Sequence, residues 1–198
     1  MTRTADVTQR SVRLIDGATV TVRQLRADDY DAVVLLSLSL TERERYLRFF
    51  TTHPGYLDDW ARSVTNSDDP RQCAIGAFED DALLGVGGYV STGEPGRAEI
   101  SVVVAHDQHD RGVGTVLLTM VGMIARDNAI QHLTADVLAE NRSMMQVIAD
   151  TGLPYACHRD GVVASYDLDL VDADALRSSN QQDGQLHVAH HGRTRGAQ

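Results

Sequence analysis

Apolar and polar positions along the chain alternate with two different periods. Alternation with a period of two predicts strands, and apolar spacings of three and four predict helices. The predicted strands are residues 12–14, 19–25, 72–78, 83–91, 97–105, 132–138, 155–158 and 162–168. The predicted helices are residues 27–39, 41–50, 56–64, 111–128 and 141–150. Strands mixed with helices in this order predict an α/β (α+β) domain with helices on both faces of a central sheet.

Local signals refine these elements. Thr41 with Glu44 three residues later is a capping box, which predicts a helix start. Gly85, Gly87 and Gly88 weaken one strand and indicate a bulge or a close backbone approach there. The strand at 132–138 follows a long helix, so we expect it to run parallel to its neighbour.

The domain organisation follows from where apolar residues are concentrated. We expect a flexible N-terminus over residues 1–10 and a single domain over residues 11–170. Residues 171–198 are mostly Ser, Asn, Gln, Gly, His and Arg, which predicts a disordered polar tail. The chain has 198 residues, which suits one domain with a tail.

Charge and targeting signals exclude several classes of protein. The formal net charge is −10, which argues against nucleic-acid binding. The acidity is typical of a soluble surface, or alternatively steers a cationic amine towards the protein. The N-terminus lacks a signal-peptide pattern, and no apolar run approaches the ~18 residues that a membrane span needs. We therefore expect a cytoplasmic protein without membrane contact, either a monomer or a homodimer.

Candidate metal ligands and reactive thiols are few. Cys73 and Cys157 are the only cysteines, and their spacing indicates neither a disulfide framework nor a zinc site. His187, His190 and His191 have either a metal-binding role or none, as part of a solvated tail. We expect no metal.

The stretch from 106 to 118 carries the strongest functional signal. It follows an apolar strand, contains Gly112 and Gly114, and opens an amphipathic helix. The first N–H groups of a helix are unpaired and carry partial positive charge, and glycine lets a ligand approach the backbone closely. This pattern predicts a site for phosphate oxygens.

Two common phosphate-binding loops do not fit this stretch. A P-loop needs a lysine after its last glycine, and the chain contains no lysine. A dinucleotide-binding loop needs a third glycine, but Thr115 and two apolar residues follow Gly114.

The remaining pattern resembles the acetyl-CoA-binding motif of the GNAT family of N-acetyltransferases, whose form is Gln/Arg-x-x-Gly-x-Gly/Ala. Here it reads His109-Asp110-Arg111-Gly112-Val113-Gly114, with His in the leading position. The resemblance extends over roughly residues 10–170. It includes Glu99 in the central strand, Asn141 at a helix start, and the closing pair Gly152-Leu153.

The front of the chain is similar to the bacterial Pat-type protein-lysine acetyltransferases within this family. The matching segments are residues 13–14, 16–17, 22–26 and 45–50. The resemblance implies the GNAT fold, with a mixed, mostly antiparallel sheet of six to seven strands.

The resemblance also implies roles for individual residues. Glu99 is the expected general base, with burial raising its pKa towards the working range. Alternatively, it is paired with an arginine such as Arg97, or it is a surface residue at the end of its strand. The expected acetyl-CoA-binding residues are Val102, Val103, Val104, His109, Asp110, Arg111, Gly112, Val113, Gly114, Thr115, Asn141 and Ser143. Many relatives carry a Tyr general acid on the next helix, but here that region is the aliphatic Val147-Ile148.

The implied activity is direct transfer of acetyl from acetyl-CoA to an amine, without a Cys-acyl intermediate. A protein lysine is the favoured acceptor, on a partner such as an acyl-CoA synthetase. Two alternatives stay open: acetylation of a small amine or antibiotic, and a catalytically silent acyl-CoA-binding regulatory module. Tyr46, Phe49 and Phe50 are either core residues or part of the acceptor groove.

Overall fold

The computed structural model describes residues 9–49, 55–66, 69 and 71–171. Its strands are β1 (Arg10–Arg13), β2 (Thr19–Gln24), β3 (Gln72–Glu79), β4 (Ala82–Ser91), β5 (Arg97–Val104), β6 (His132–Leu138), β7 (Tyr155–Asp160) and β8 (Val163–Asp169). Its α-helices are α1 (Tyr30–Ser39), α2 (Glu42–Phe49), α3 (Gly55–Thr65), α4 (Val113–Asp127) and α5 (Arg142–Asp150). The predicted N-terminal segment and polar tail lie largely outside these residues.

All eight strands form one sheet in the order β1-β2-β3-β4-β5-β6-β8-β7. Every neighbouring pair is antiparallel except β5 with β6, which is parallel. The mixed, mostly antiparallel sheet with helices is therefore confirmed. It has eight strands in the described residues, where the resemblance implied six to seven.

Two apolar clusters cover opposite faces of the sheet. Helices α4 and α5 pack on one face, where Ile100, Leu117 and Ile148 are buried. Helices α1 and α3 cover the other face near β3 and β4, where Val103 is buried beside Val86. Strand β5 contributes to both clusters because successive side chains of a strand point to opposite faces.

Backbone geometry explains where the observed elements differ from the predicted ones. Helix α4 begins at Val113 instead of residue 111, because Gly112 has a φ of 85° and cannot continue a right-handed helix. Residues Ala27–Asp29 form a short 3₁₀ turn before α1. The predicted bulge is present, since the β3–β4 register shifts between Ala77 and Phe78, opposite Gly85.

Candidate active site

Strands β5 and β6 are paired only at one end. The parallel ladder joins Arg97 to His132, Ala98 to Leu133 and Glu99 to Thr134, and then stops. Beyond Glu99, β5 stays paired with β4 while β6 stays paired with β8. A wedge-shaped gap, the splay, therefore opens between the two central strands.

Main-chain groups of β5 border the splay. In an antiparallel pair, alternate residues direct their N–H and C=O groups to the partner strand. The remaining groups along Val102, Val103 and Val104 face away from β4, towards the splay. The Val103 side chain is buried, while those of Val102 and Val104 pack partly buried against the α4 cluster. These residues therefore offer a ligand their backbone, not their side chains.

The glycine turn lies where β5 leads into α4. Asp110 and Gly112 both have positive φ, 59° and 85°. The Val116 N–H donates to the Gly112 carbonyl at 3.0 Å, which is the first bond of the helical ladder. The amides of Val113, Gly114 and Thr115 precede that bond and have no intrahelical acceptor. Consecutive left- and right-handed residues form a concave nest of N–H groups that suits an anion.

Arg111 supports this turn with its side chain. Its guanidinium contacts the Asp16 carboxylate at 2.5 Å and the Glu79 carboxylate at 2.8 Å, and it also contacts Gln108. The hydrogen bonds to Glu79 and Asp16 raise the pKa of Arg111, and the same contact lowers the pKa of Glu79. The Ile15 N–H donates to the Arg111 carbonyl at 3.3 Å. The Arg111 side chain therefore stabilises the fold around the turn through its ion pairs with Asp16 and Glu79.

Helix α5 packs against the first turn of α4. A Cβ atom on Gly114 would lie 2.9 Å from Cγ2 of Val147, so the two helices approach closely because this position is glycine. Asn141 caps α5, as its side chain accepts a hydrogen bond from the Met144 N–H at 3.1 Å. Ser143 lies exposed in the first turn of α5. The region where relatives carry a Tyr is thus occupied by packed aliphatic side chains.

Glu99 lies at the apex of the splay, on the sheet face that α1 and α3 partly cover. The expectation that it is buried is wrong, because its side chain is exposed on this face. The alternative pairing with Arg97 is also wrong, since Arg97 instead forms ion pairs with Asp167 at 2.5 Å and Glu94 at 3.6 Å. The carboxylate of Glu99 is thus accessible to an incoming molecule.

Helix α2 connects both sides of the splay. Arg43 pairs with Glu140, beyond the end of β6, at 3.1 Å. Glu44 contacts His106 at 2.8 Å and His109 at 3.6 Å, both beyond the end of β5. Partial burial opposes ionisation of Glu44, but hydrogen bonds from His106 and Thr41 outweigh it and lower the pKa of Glu44. The Arg43–Glu140 pair is exposed on both sides, and such pairs contribute only ~0–1 kcal/mol.

A second basic residue of α2 interacts electrostatically with Glu99. Arg48 is half-buried, and its Nε atom has no hydrogen-bond partner in the described part of the chain. Burial lowers the pKa of Arg48 to about 10, although attraction to Glu99 opposes this. The guanidinium packs on the Phe49 ring at 4.9 Å, and Phe49 in turn contacts Trp60 edge-on at 5.4 Å. Phe49 is therefore partly a packing residue, while Tyr46 is exposed.

Sequence reasoning missed the contacts between α2 and the glycine turn. Thr41 and Glu44 do form the predicted capping box, with the Thr41 N–H donating to Glu44 at 2.7 Å. Nothing in the local pattern indicates that Glu44 also binds His106, which is 62 residues away. Only the fold brings these two residues together.

The described residues set limits on other site types. Within the described ranges, no group of three or more His, Cys, Asp or Glu side chains is arranged to hold a metal. The histidines at 187, 190 and 191, and Phe50, lie outside those ranges. No described helix has the length and apolarity needed to cross a membrane.

Comparison with known proteins identifies the family. The family model described as "Acetyltransferase (GNAT) domain" matches residues 19–153. The GNAT domain of S. lividans PAT has a TM-score of 0.74 and 25% identity, over 81% of this chain and 96% of that one. The paia N-acetyltransferase from Thermoplasma acidophilum, solved with coenzyme A, has a TM-score of 0.58 and 15% identity, over 76% of this chain and 98% of that one.

A larger protein shares the same fold. The cAMP-binding acyltransferase from Mycobacterium smegmatis has a TM-score of 0.59 and 20% identity, over 86% of this chain and 49% of that one. This chain thus spans about half of that protein. These structures share the fold, and the family match over residues 19–153 shows that the chain belongs to the GNAT family of N-acetyltransferases.

Proposed function

We propose that the protein transfers acetyl from acetyl-CoA directly to the ε-amine of a protein lysine, with Glu99 as the general base. The observation that carries this proposal is the position of Glu99. It is an exposed carboxylate at the apex of the splay, where the β5–β6 ladder ends. The unpaired amides at the start of α4 lie beyond the other end of the same β5 segment.

The cofactor half of the site fits acetyl-CoA through main-chain groups. The amides from His109 to Thr115 surround the turn and would hold the pyrophosphate, with the dipole of α4 adding partial positive charge. Because the Arg111 side chain is bound to Asp16 and Glu79, we expect only its backbone to contribute.

The splay accepts the remainder of the cofactor. The backbone of Val102–104 would hold the pantetheine arm and the thioester carbonyl, whose developing negative charge an N–H can stabilise. Asn141 Oδ1 is used by the helix cap, so its Nδ2 is the group available for the arm. Ser143 is exposed nearby and can contribute its hydroxyl.

The chemistry requires removal of a proton from the acceptor. A lysine amine has an ordinary pKa of about 10.4 and arrives protonated at neutral pH. Glu99 takes this proton directly or through water, and the amine nitrogen then attacks the thioester carbon. The C–N bond forms and the C–S bond breaks, and the second proton of the attacking nitrogen passes to solvent. With aliphatic Val147 and Ile148 in place of a Tyr, the coenzyme leaves as a thiolate without a side-chain acid.

The resemblance of the front segments to Pat-type enzymes supports a protein acceptor and suggests an acyl-CoA synthetase as the partner. The GNAT domain of S. lividans PAT is also among the similar structures. Cys73 and Cys157 are both free thiols, in keeping with a cytoplasmic enzyme. Acetylation of a small amine or antibiotic remains the second candidate, since the same cofactor half serves both. Acetylation of a protein lysine and acetylation of a small amine are both compatible with a monomer and with a homodimer.

An acceptor panel tests the proposal. The protein is incubated with acetyl-CoA and lysine peptides, purified acyl-CoA synthetases or small amines. Thiol release and mass spectrometry of the acceptors are followed. Acetylated lysine in a protein or peptide is expected. Acetylation of small amines alone would favour the antibiotic-type role. Binding of acetyl-CoA with no acetylated product would instead favour the regulatory module.

A further inference from the structure

The sheet surface next to Glu99 is polar and open. On β6, buried side chains alternate with half-buried or exposed ones: Leu133, Ala135 and Val137 face α4 and α5, whereas His132, Thr134 and Asp136 face the other side. On β8, Ser165, Asp167 and Asp169 share that face. Helices α4 and α5 pack on the opposite face, against Leu133, Ala135 and Val137.

Thr134, Asp136, Ser165 and Asp167 from this surface line a shallow cavity of about 410 Å³. Its lining also includes Arg97, His158 and Tyr166. The size suits a lysine side chain or a small amine lying across the sheet.

The two carboxylates that line this cavity, Asp136 and Asp167, differ in their ion pairing. Asp167 is paired with Arg97 at 2.5 Å and with His132 at 3.0 Å. Asp136 accepts a hydrogen bond from the Ser165 hydroxyl at 2.6 Å, but among the described residues it has no ion pair with a cationic side chain. Asp136 is therefore a fixed, exposed carboxylate whose negative charge is left without a counter-ion.

Asp136 also lies close to the reaction centre. Thr134 is the register partner of Glu99, and Asp136 is two residues further along β6 on the same face. At about 3.3 Å per residue, this separation is ~7 Å along the strand. An amine that approaches the thioester through the splay therefore passes between Glu99 and Asp136.

Resting on the proposed function, we infer that Asp136 binds the protonated amine of the acceptor and delivers it to Glu99. The Ser165 hydroxyl orients the carboxylate, which accepts an N–H of the ammonium group. Glu99 then removes one proton, and the amine attacks. The acceptor class is thereby narrowed to aliphatic amines that are cationic at neutral pH, such as lysine, over arylamines that are neutral.

The experiment compares Asp136→Asn with Asp150→Asn. Asp150 is a matched control, because it is an exposed carboxylate on α5 that accepts a hydrogen bond from Gln146 at 2.6 Å, on the opposite side of the sheet. KM and kcat are measured for a lysine peptide and for a neutral arylamine, and KM is also measured for acetyl-CoA. Circular dichroism establishes that both variants are folded.

We expect Asp136→Asn to raise KM for the lysine peptide about tenfold, which corresponds to about 1.4 kcal/mol. Its KM for acetyl-CoA and its kinetics with the arylamine should match those of the unaltered protein. Ser165→Ala should give a smaller increase in the same KM, because the carboxylate remains but loses its orienting bond.

Two outcomes separate this inference from the proposal beneath it. Equal KM values for Asp136→Asn and Asp150→Asn in an active enzyme would overturn the role of Asp136 and leave the acetyl transfer intact. An unaltered protein that binds acetyl-CoA but acetylates neither acceptor would overturn the proposed function, and this inference with it. A loss of acetyl-CoA binding in Asp136→Asn would mean that this residue serves the cofactor instead.

Discussion

Substitution of Gly114 by Ala tests the close packing of α4 on α5. The added Cβ would lie 2.9 Å from Cγ2 and 3.6 Å from Cγ1 of Val147. A β-branched residue in a helix has one strongly preferred rotamer, so Val147 cannot turn away easily. Overpacking of this kind costs typically ~1–3 kcal/mol. Replacing a helical Gly by Ala gains about 1 kcal/mol. We therefore expect net destabilisation of ~0–2 kcal/mol.

The effect of Gly114→Ala on the free energy of unfolding should change sign when Val147 is replaced by Ala. In a Val147→Ala background both γ-methyl groups are absent, so the contact disappears and only the helix preference remains. Gly114→Ala should then stabilise the protein by ~0.5–1 kcal/mol.

Urea denaturation of the four proteins in this cycle, followed by circular dichroism, gives the coupling free energy between the two positions. We expect a coupling of ~1–3 kcal/mol. If Gly114→Ala changes the free energy of unfolding equally in both backgrounds, the helices are not in the contact described here.

Three further predictions concern charged groups. Glu99→Gln should lower kcat by roughly 10²–10⁴ without unfolding the protein, and near-normal turnover in steady-state assays would remove Glu99 from the mechanism. The hydrogen bond to Glu44 raises the pKa of His106. The pair therefore stabilises the protein fully below pH ~6.5, the ordinary pKa of histidine, and this stabilisation is lost as the pH rises through the raised pKa. Glu44→Gln keeps the cap but should flatten the change in urea midpoint between pH 6 and about 8.5; an unchanged pH profile would contradict this. Asp29→Asn should cost about 2 kcal/mol, because Arg23 loses a bidentate pair with both contacts at 2.7 Å. Arg23 lowers the pKa of Asp29, so in the unaltered protein this contribution should disappear as pH falls through that lowered value, which acid titration of the thermal midpoint would reveal.

Local sequence patterns were enough to predict most of the architecture. The capping box at Thr41 and the bulge opposite Gly85 follow from residue types a few positions apart, and both are present. The parallel pairing of residues 132–138 follows from the long helix before them. Each of these features depends on neighbours in the chain, so the physical cause is visible in a short window.

The candidate site was less accessible to such reasoning. Glu99 was expected among apolar neighbours because the residues adjacent to it in the chain are apolar. Its surroundings also include β6, which pairs with β5 only as far as Glu99, and Arg48 of α2, which attracts its charge. The link from Glu44 to His106 and the open surface around Asp136 likewise arise from tertiary packing. Contacts between distant segments leave no periodic signal in the sequence.

The parting of β5 from β6 has a consequence for how this protein can change over time. A peptide group is the same in every amino acid other than proline, so a wedge that works through its peptide groups makes no demand for a particular side chain there. Selection along Val102–104 then acts on the size of the side chains and on the β-bridge between Glu99 and Thr134. Such a cleft can be retained while the surrounding amino acids are substituted. This agrees with the comparison with the GNAT domain of S. lividans PAT, which has a TM-score of 0.74 at only 25% sequence identity.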